Sequence, residues 1–338
     1  MKKKTILVTG GAGYIGSHMV RVLLEGGYAP VIFDNLSTGH REFIPRGVPL
    51  VKGDLRRLDD VRKVFRKFKI DAAIHYAAAI VVPESVSDPL KYYDNNVTGT
   101  LNLLRAMVEA GVRRIVFSSS ACVYGEPLKN PILENEPLKV ASPYGATKVI
   151  AEQILGDMAR SGQIDFIALR YFNVAGAHPS GEIGIKMEKP THLIPNVMRS
   201  ILRQQPLTVF GTNFDTPDGS CVRDYVHVLD LCDAHLLSLL KLFSGRVKNE
   251  MINLGNGKGF SVKEVIKTAE KVVGRPVPVV YGDPRPGDCV KVVASYAKAR
   301  KLLGWQPSRS LQEIIASAWT WEMAQDKSVK ASVSRSKV

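Results

Sequence analysis

Cysteine is scarce in this chain: four residues in 338, at positions 122, 221, 232 and 289, none in a CxxC spacing. That excludes a disulfide scaffold and suits a reducing cytosol. The seven histidines show no HxxxH spacing, so no metal site is expected. No apolar run approaches the ~18–20 residues that cross a bilayer, which excludes a spanning helix. Met1-Lys2-Lys3-Lys4 carries the charge of an export signal, but the apolar stretch behind it stops at Thr9-Gly10-Gly11. Such a signal needs ~7–15 apolar residues, so secretion is not expected. Acidic residues are also short, 32 against 46 Lys plus Arg, leaving a net charge of +14. Lys2–Lys4 hold three of these charges and Asp326–Val338 a net three; the rest is dispersed, without the aromatic-interleaved basic block of single-strand binders. The expected partners are small anions, with neither a nucleic acid nor a membrane among them.

What is present is the composition of a folded protein, 45% apolar and 23% charged, with length for one large or two ordinary domains. Short β-branched runs at Thr5–Thr9, Val31–Asp34, Val51–Lys52, Ala72–His75, Arg114–Ser118 and Phe166–Arg170 alternate with helical patterns beginning near Tyr14, Asp59, Pro89 and Pro143. Strand–helix alternation of this kind predicts a doubly wound α/β domain of the Rossmann type, a parallel sheet covered on both faces. Residues 175–190 are rich in Gly, Pro, Ser and charge and read as a long loop. Helical patterns resume at Leu193–Arg203, Leu229–Leu242, Val262–Val273, Tyr296–Leu303 and Leu311–Ala324, with short strands at Thr208–Phe210 and Val277–Val280. The expected division is 1–175 for dinucleotide binding and 176–325 as a smaller α+β substrate domain, some chain crossing back, followed by a basic tail at 326–338 that is expected to be disordered. No internal repeat is visible.

The first strand runs into TGGAGYIGSH (9–18), whose glycines satisfy both GxxGxxG at Gly10, Gly13 and Gly16 and GxGxxG from Gly11. Glycines at this spacing allow a tight turn, backbone approach to a pyrophosphate and close helix packing. The next strand ends in Asp34, 18 residues past Gly16, and Asn35-Leu36-Ser37 follow without an arginine. A carboxylate there accepts ribose hydroxyls and repels a 2′-phosphate, which favours NAD over NADP. Tyr144 and Lys148 in SPYGATK (142–148) lie four apart and share a helix face. A neighbouring ammonium, together with an oxidised nicotinamide, would lower the phenol from its usual pKa near ~10 toward the range of a working base. Ser120 ends the fifth strand, where parallel sheets place their ligands.

With these motifs stand GDL (53–55), PLKYYDNNVTGTLNLL (89–104), FSSSACVYG (117–125), RYFNVAGAHPSG (170–181), VRDYVHVLDL (222–231) and the helix around Trp319-Thr320-Trp321. On them the chain resembles the extended short-chain dehydrogenase/reductases and, more narrowly, the UDP-glucose 4-epimerase family, over nearly its whole length to about residue 324. The resemblance implies an NAD-dependent isomerase of galactose metabolism that moves hydride from C4 of the hexose to tightly held NAD and back to the opposite face of a transient 4-keto sugar. Tyr144 would be the base, Lys148 its partner on the nicotinamide ribose, and Ser120 the hydrogen-bond partner of the sugar O4. Tyr14 and Ile15 would face the pyrophosphate, Asp54 and Leu55 the adenine, and Ala77, Ala78, Asn95 and Phe172 the rest of the cofactor. Arg223 and Arg285 would hold the diphosphate. Asp288 would hold the uridine ribose, with Asn173, Val209 and Phe210 as further substrate contacts.

The resemblance also has departures. Ile80 stands where some relatives have a lysine contacting NAD, and Cys122 replaces a threonine near the sugar. His192 replaces an asparagine and either bonds the diphosphate or caps the next helix. Val292 stands where some members carry a bulky tyrosine against the C2 substituent, which leaves room for UDP-GlcNAc and UDP-GalNAc. A 4,6-dehydratase would need an Asp-Glu pair where Ala121-Cys122 stands. A 4-epimerase of UDP-glucuronate or a UDP-pentose, and a non-catalytic NAD-binding regulator, are the other readings. By analogy a cytoplasmic homodimer is expected, paired through 89–110 and 143–160.

Overall fold

The structure, a computed structural model, describes residues 3–188, 190–285 and 288–326. The basic tail from 327 onward therefore lies outside the described residues.

The chain opens with β1 (Thr5–Thr9), α1 (Tyr14–Glu25), β2 (Ala29–Asp34), β3 (Leu50–Lys52), α2 (Leu58–Lys67) and β4 (Ala72–His75). It continues through α3 (Val82–Ser87), α4 (Pro89–Tyr92), a π-helical turn (Tyr93–Thr98), α5 (Gly99–Glu109), β5 (Arg114–Ser120), α6 (Pro143–Arg160) and β6 (Asp165–Tyr171). The sheet order is β3-β2-β1-β4-β5-β6 with one more strand beyond β6, all parallel. The order reverses between β1 and β4, so their carboxyl ends open a crevice, the usual ligand position of such sheets. One face is packed by α1, with Met19, Val20 and Leu23 against Ile6, Val8, Ile32 and Ile74. The other is covered from α2, α5 and α6 through Val61, Val64, Leu103, Met107, Ala151 and Leu155. Each such apolar side chain taken from water contributes about 1.5–3 kcal/mol before entropy is counted.

After β6 come β7 (Asn173–Ala175), α7 (Leu193–Arg203), β8 (Leu207–Phe210), β9 (Val222–Arg223), β10 (Tyr225–His227) and α8 (Val228–Ser244). Then follow β11 (Glu250–Leu254), β12 (Phe260–Ser261), α9 (Val262–Val273), β13 (Val279–Gly282), β14 (Lys291–Val292), α10 (Ala297–Leu303) and α11 (Leu311–Gln325). β11 is the seventh strand of the large sheet, and α8 shares the core of α1, so the chain crosses back after β10. Sequence reading placed no strand at EMINL, because a five-residue run with a charged start shows too little alternation. α7, α9 and α11 share a separate core with β8. Both α9 and α11 start on capping boxes, Ser261 with Glu264 and Ser310 with Glu313, which explains why their amino ends were readable from sequence. The three short strands β12-β9-β14 form a small sheet that carries Arg223 and Val292.

Candidate active site

The glycine turn between β1 and α1 is built tightly. Gly10 has φ +69°, and a Cβ there would lie 2.8 Å from the Ala77 amide, so only glycine lets β1 and the loop after β4 meet. A Cβ at Gly13 would meet nothing nearer than the Gly10 carbonyl at 3.3 Å, which leaves its outer side open for a ligand against the backbone. Gly16 lets the first turn of α1 close on that same carbonyl. Asp34 is buried at the end of β2, its Oδ2 accepting from the Ala12 amide at 3.0 Å and its Oδ1 from the Leu36 amide at 2.8 Å. A cradle of free backbone beside a fixed carboxylate suits a pyrophosphate with an unphosphorylated ribose, so the residues present fit NAD.

The other candidates for the cofactor lie around this turn with mixed commitments. Tyr14 donates its hydroxyl to the Gly176 carbonyl at 2.6 Å, tying α1 to the strand after β6. Ile15 is half-buried against the core of that face. Asn35 turns onto its own loop, accepting from the Ser37 amide. Asp54 is held by the Arg56 fork at 2.7 and 3.0 Å, which depresses its carboxyl to about 2. Leu55 is buried in the core, and Ile80, on the loop after Ala77 and Ala78, is exposed. Asn95 donates to Asn96 Oδ1 at 3.0 Å.

Asn96 is the residue sequence reading missed here. It accepts from the Ala79 amide at 2.8 Å and donates to the Ala79 carbonyl and to Thr147 Oγ1, so it fastens the loop after β4 to α6. The signal was the second Asn of the DNN block; the π-helical turn that aims it inward has no sequence mark of its own.

Tyr144, Lys148 and Ser120 meet at the carboxyl end of β5. Ser142 caps α6, accepting from the Gly145 amide at 3.2 Å, and Pro143 sets the first turn, so the helix begins just ahead of Tyr144. A Cβ at Gly145 would lie 2.6 Å from the Cys122 carbonyl, so glycine lets α6 start against the turn that follows Ser120. All three side chains are buried. Lys148 Nζ donates to the Ser118 carbonyl at 2.8 Å and stands 5.8 Å from the centre of the Tyr144 ring.

The expected acid shift of the phenol is not present in the protein alone. Burial pushes the Tyr144 hydroxyl upward, with Cys122 and Tyr171 adding to it, and only the facing Ser120 hydroxyl pulls the other way. The same burial lowers the Lys148 ammonium to about 8. Burial thus sets the direction of both shifts. Tyr171, which pairs with Ser118 Oγ, is a second phenol in this corner and was not foreseen; it is pushed up to about 12.

Across the crevice the second half brings the expected anion-binding residues into one cluster. Arg285 lays Nε and Nη2 on Asp288 at 3.0 and 3.1 Å, and Arg223 approaches the same carboxylate at 3.5 Å. The Arg285 guanidinium also lies 5.0 Å from the centre of the exposed Phe210 ring. Arg223 pairs in register with Val292, which puts that half-buried valine beside the cluster. Val209 points the other way, into the core of the second half, because strand alternation turns it from Phe210; its side chain does not reach the cleft. Asn173 donates to the Asp224 carbonyl at 2.9 Å, and Phe172 packs with Tyr124 and Ala294. His192 sits at the N-cap position just before α7, but its side chain makes no capping bond; its Nδ1 lies 3.4 Å from Thr191 Oγ1. The capping alternative therefore falls. Cys122 lies against Ser120, and burial raises its thiol.

Asp224 was also unread from sequence. Its carboxylate accepts from the amides of Asn256, Gly257 and Ala294, at 2.6, 3.3 and 3.0 Å, and so ties two segments of chain behind Arg223. Burial lifts it to about 6.

Residues 6–255 match the model of the NAD dependent epimerase/dehydratase family. The UDP-glucose 4-epimerase of Azospirillum brasilense is 47% identical over 326 residues, which cover 96% of this chain and 93% of that protein. The crystal structure of UDP-glucose 4-epimerase from Brucella ovis in complex with NAD superposes with a TM-score of 0.90 at 42% identity, over 94% of this chain and 97% of that one. The UDP-Glc/GlcNAc 4-epimerase of Campylobacter jejuni gives 0.83 at 38%, over 95% and 99%. A Rossmann sheet with its glycine turn, a Tyr–Lys helix beside a strand-end serine, and likeness over almost the whole length agree: the chain belongs to the NAD dependent epimerase/dehydratase family, among its UDP-glucose 4-epimerases.

Proposed function

We propose that this chain interconverts UDP-galactose and UDP-glucose by inverting C4 of the hexose, with Tyr144, Lys148 and Ser120 doing the chemistry. The observation that carries this reading is the convergence of a buried phenol, a buried ammonium and a serine hydroxyl at the end of β5. Bound NAD supplies the acceptor and donor of hydride at the sugar C4. Gly10, Gly13, Gly16, Tyr14 and Ile15 hold its pyrophosphate, Asp34 and Asn35 its ribose, Asp54 and Leu55 its adenine, and Ala77, Ala78, Asn95 and Phe172 the remainder. Tyr144 takes the O4 proton while Ser120 holds that oxygen, and Tyr144 returns the proton after the 4-keto sugar has turned over. Lys148 gives the phenolate a counter-charge in a buried site where no water does so. Arg223 and Arg285 grip the diphosphate, Asp288 the uridine ribose, and Asn173, Phe210 and His192 flank the path of the sugar. Incubating the purified protein with UDP-galactose, without added cofactor, should yield UDP-glucose; no conversion with NAD supplied in excess would sink the reading.

The N-acetylated sugars UDP-GlcNAc and UDP-GalNAc belong to the same proposal. Val292 is small and half-buried beside the arginine cluster, and a relative that shares the fold is a UDP-Glc/GlcNAc 4-epimerase. Val292→Tyr should cut turnover of UDP-GlcNAc by at least tenfold while sparing UDP-galactose. Equal loss on both substrates would mean that this position does not read the C2 substituent.

The protein is proposed to work as a homodimer. Leu90 is 79% and Val108 40% exposed in the stretch where pairing through 89–110 and 143–160 is expected, an apolar surface that a second copy would cover. Its proposed setting is the cytosol, on the scarcity of cysteine, and galactose metabolism, on the substrate pair.

A further inference from the structure

Behind the crevice lies a buried ion pair. Arg170 of β6 lays its fork on Glu152 of α6, Nε to Oε1 at 2.8 Å and Nη2 to Oε2 at 2.6 Å, with side chains only 5% and 3% exposed. Ser119 Oγ donates to the same carboxylate at 2.6 Å. Arg170 Nη1 donates to Tyr124 Oη at 2.8 Å and to the Glu134 carbonyl at 3.3 Å, and Tyr124 Oη donates in turn to Asn253 Oδ1 at 2.7 Å. Taking two charges out of water is costly, and apolar side chains of similar volume often serve the fold as well. The position of the pair is therefore more informative than its presence.

Tyr144, Lys148 and Glu152 are spaced four apart and lie along one face of α6. Ser119 stands between Ser118, whose carbonyl receives Lys148, and Ser120, whose hydroxyl faces Tyr144. One carboxylate thus touches the strand end that carries Ser120 and sits one helical turn from Lys148.

Resting on the function proposed above, we infer that Glu152, clamped by Arg170, is a positioning residue: it fixes the end of β5 so that Ser120 meets Tyr144, and its charge keeps Lys148 an ammonium. The groups facing Lys148 are Tyr144 and Glu152 from its own helix, His75 from β4, Cys122 from the turn after β5, and the Phe117 ring at 5.0 Å with the Ser118 carbonyl from β5. His75 and Cys122 are held neutral by burial, and Glu152 is the one carboxylate of this set. Burial already brings the lysine down to about 8 with Glu152 opposing the fall.

Three variants test this. Glu152→Gln keeps the shape and removes the charge, but strands Arg170. Glu152→Leu with Arg170→Met removes both charges at similar volume, so its fold should survive. Ser119→Ala drops one bond and strands no charge. The readouts are kcat and KM for UDP-galactose across pH, and the Lys148 titration followed by NMR with labelled lysine, which needs no turnover. The double variant should melt like the wild type, lose about tenfold or more in kcat at unchanged KM, and titrate Lys148 about one unit lower, carrying the alkaline fall of kcat with it. Ser119→Ala should lose about fivefold in kcat with the alkaline limb in place. Wild-type kcat in a folded double variant, or an unmoved Lys148 titration in either charge variant, overturns the inference. A wild type without epimerase activity strikes the proposed reaction instead, and the lysine titration still decides whether Glu152 holds that charge.

Discussion

Replacing Tyr144 by phenylalanine removes one oxygen and should stop the reaction without disturbing the protein. A positioned general acid–base group contributes ~10²–10⁴ in rate, which at ~1.36 kcal/mol per decade is ~2.7–5.5 kcal/mol of barrier. The surroundings argue for the upper end. The other acids close to the phenol are the Cys122 thiol and the Tyr171 phenol; burial raises both as it raises Tyr144, and Tyr171 is already paired with Ser118 Oγ. Folding should barely notice: the hydroxyl faces only Ser120, and a net hydrogen bond is worth about 1 kcal/mol, some 2–4 °C in melting temperature. NAD should stay bound, because the glycine turn and Asp34 lie on β1, α1 and β2, away from α6. The assay is single-turnover and steady-state conversion of UDP-galactose, with the cofactor content of the purified variant measured in parallel. A kcat within tenfold of wild type would refute the role of the phenol as base. Loss of NAD from the variant would refute the separation of cofactor grip from chemistry.

Arg223→Ala and Arg285→Ala should each raise KM for the UDP-sugar about 10–100-fold with kcat within about threefold, since they act on a diphosphate that does not react. Removing either also leaves Asp288 less neutralised, which repels the anion further. A fall in kcat at constant KM would count against this division. His235 sets an acid limit to stability: burial lowers its pKa to about 4 against about 6.5 when unfolded, and its Nε2 has no hydrogen-bond partner among the described residues. The unfolded chain therefore binds more protons between these values, and stability is lost as pH falls from about 6.5 to about 4, on the order of 3 kcal/mol for this group. His235→Phe should move the midpoint of acid unfolding to lower pH, followed by circular dichroism; an unmoved midpoint would show that the ring is not what fails.

How far the sequence could be read depended on whether a feature is local in the chain. The glycine turn, Asp34 and the Tyr144–Lys148 pair are each set within a few residues by turn geometry, strand direction or helix period; in the structure Gly10 lies against Ala77, Asp34 accepts from the Ala12 amide and Lys148 donates to the Ser118 carbonyl. α7 and α9 were delimited correctly to the residue, because the three- and four-residue recurrence of their apolar positions is written in consecutive letters. β11 escaped notice because its reason for existing is β6, more than seventy residues earlier in the chain.

The same distinction separates the two halves of the chemistry. Spacing put Lys148 beside Tyr144, but the acidity of a phenol depends on everything that removes water from it. Cys122 with the end of β5, and Tyr171, come from two other segments of chain. Glu152 shares the helix face of Lys148 and looked like another polar position on α6. Only the order of the sheet, which lays β6 beside β5, delivers Arg170 to it and turns a surface-type residue into a buried charge. Sequence therefore names the groups proposed to react, whereas the protonation state in which they wait is a property of the packing. The titration of Lys148 tests the fold more directly than it tests the motif.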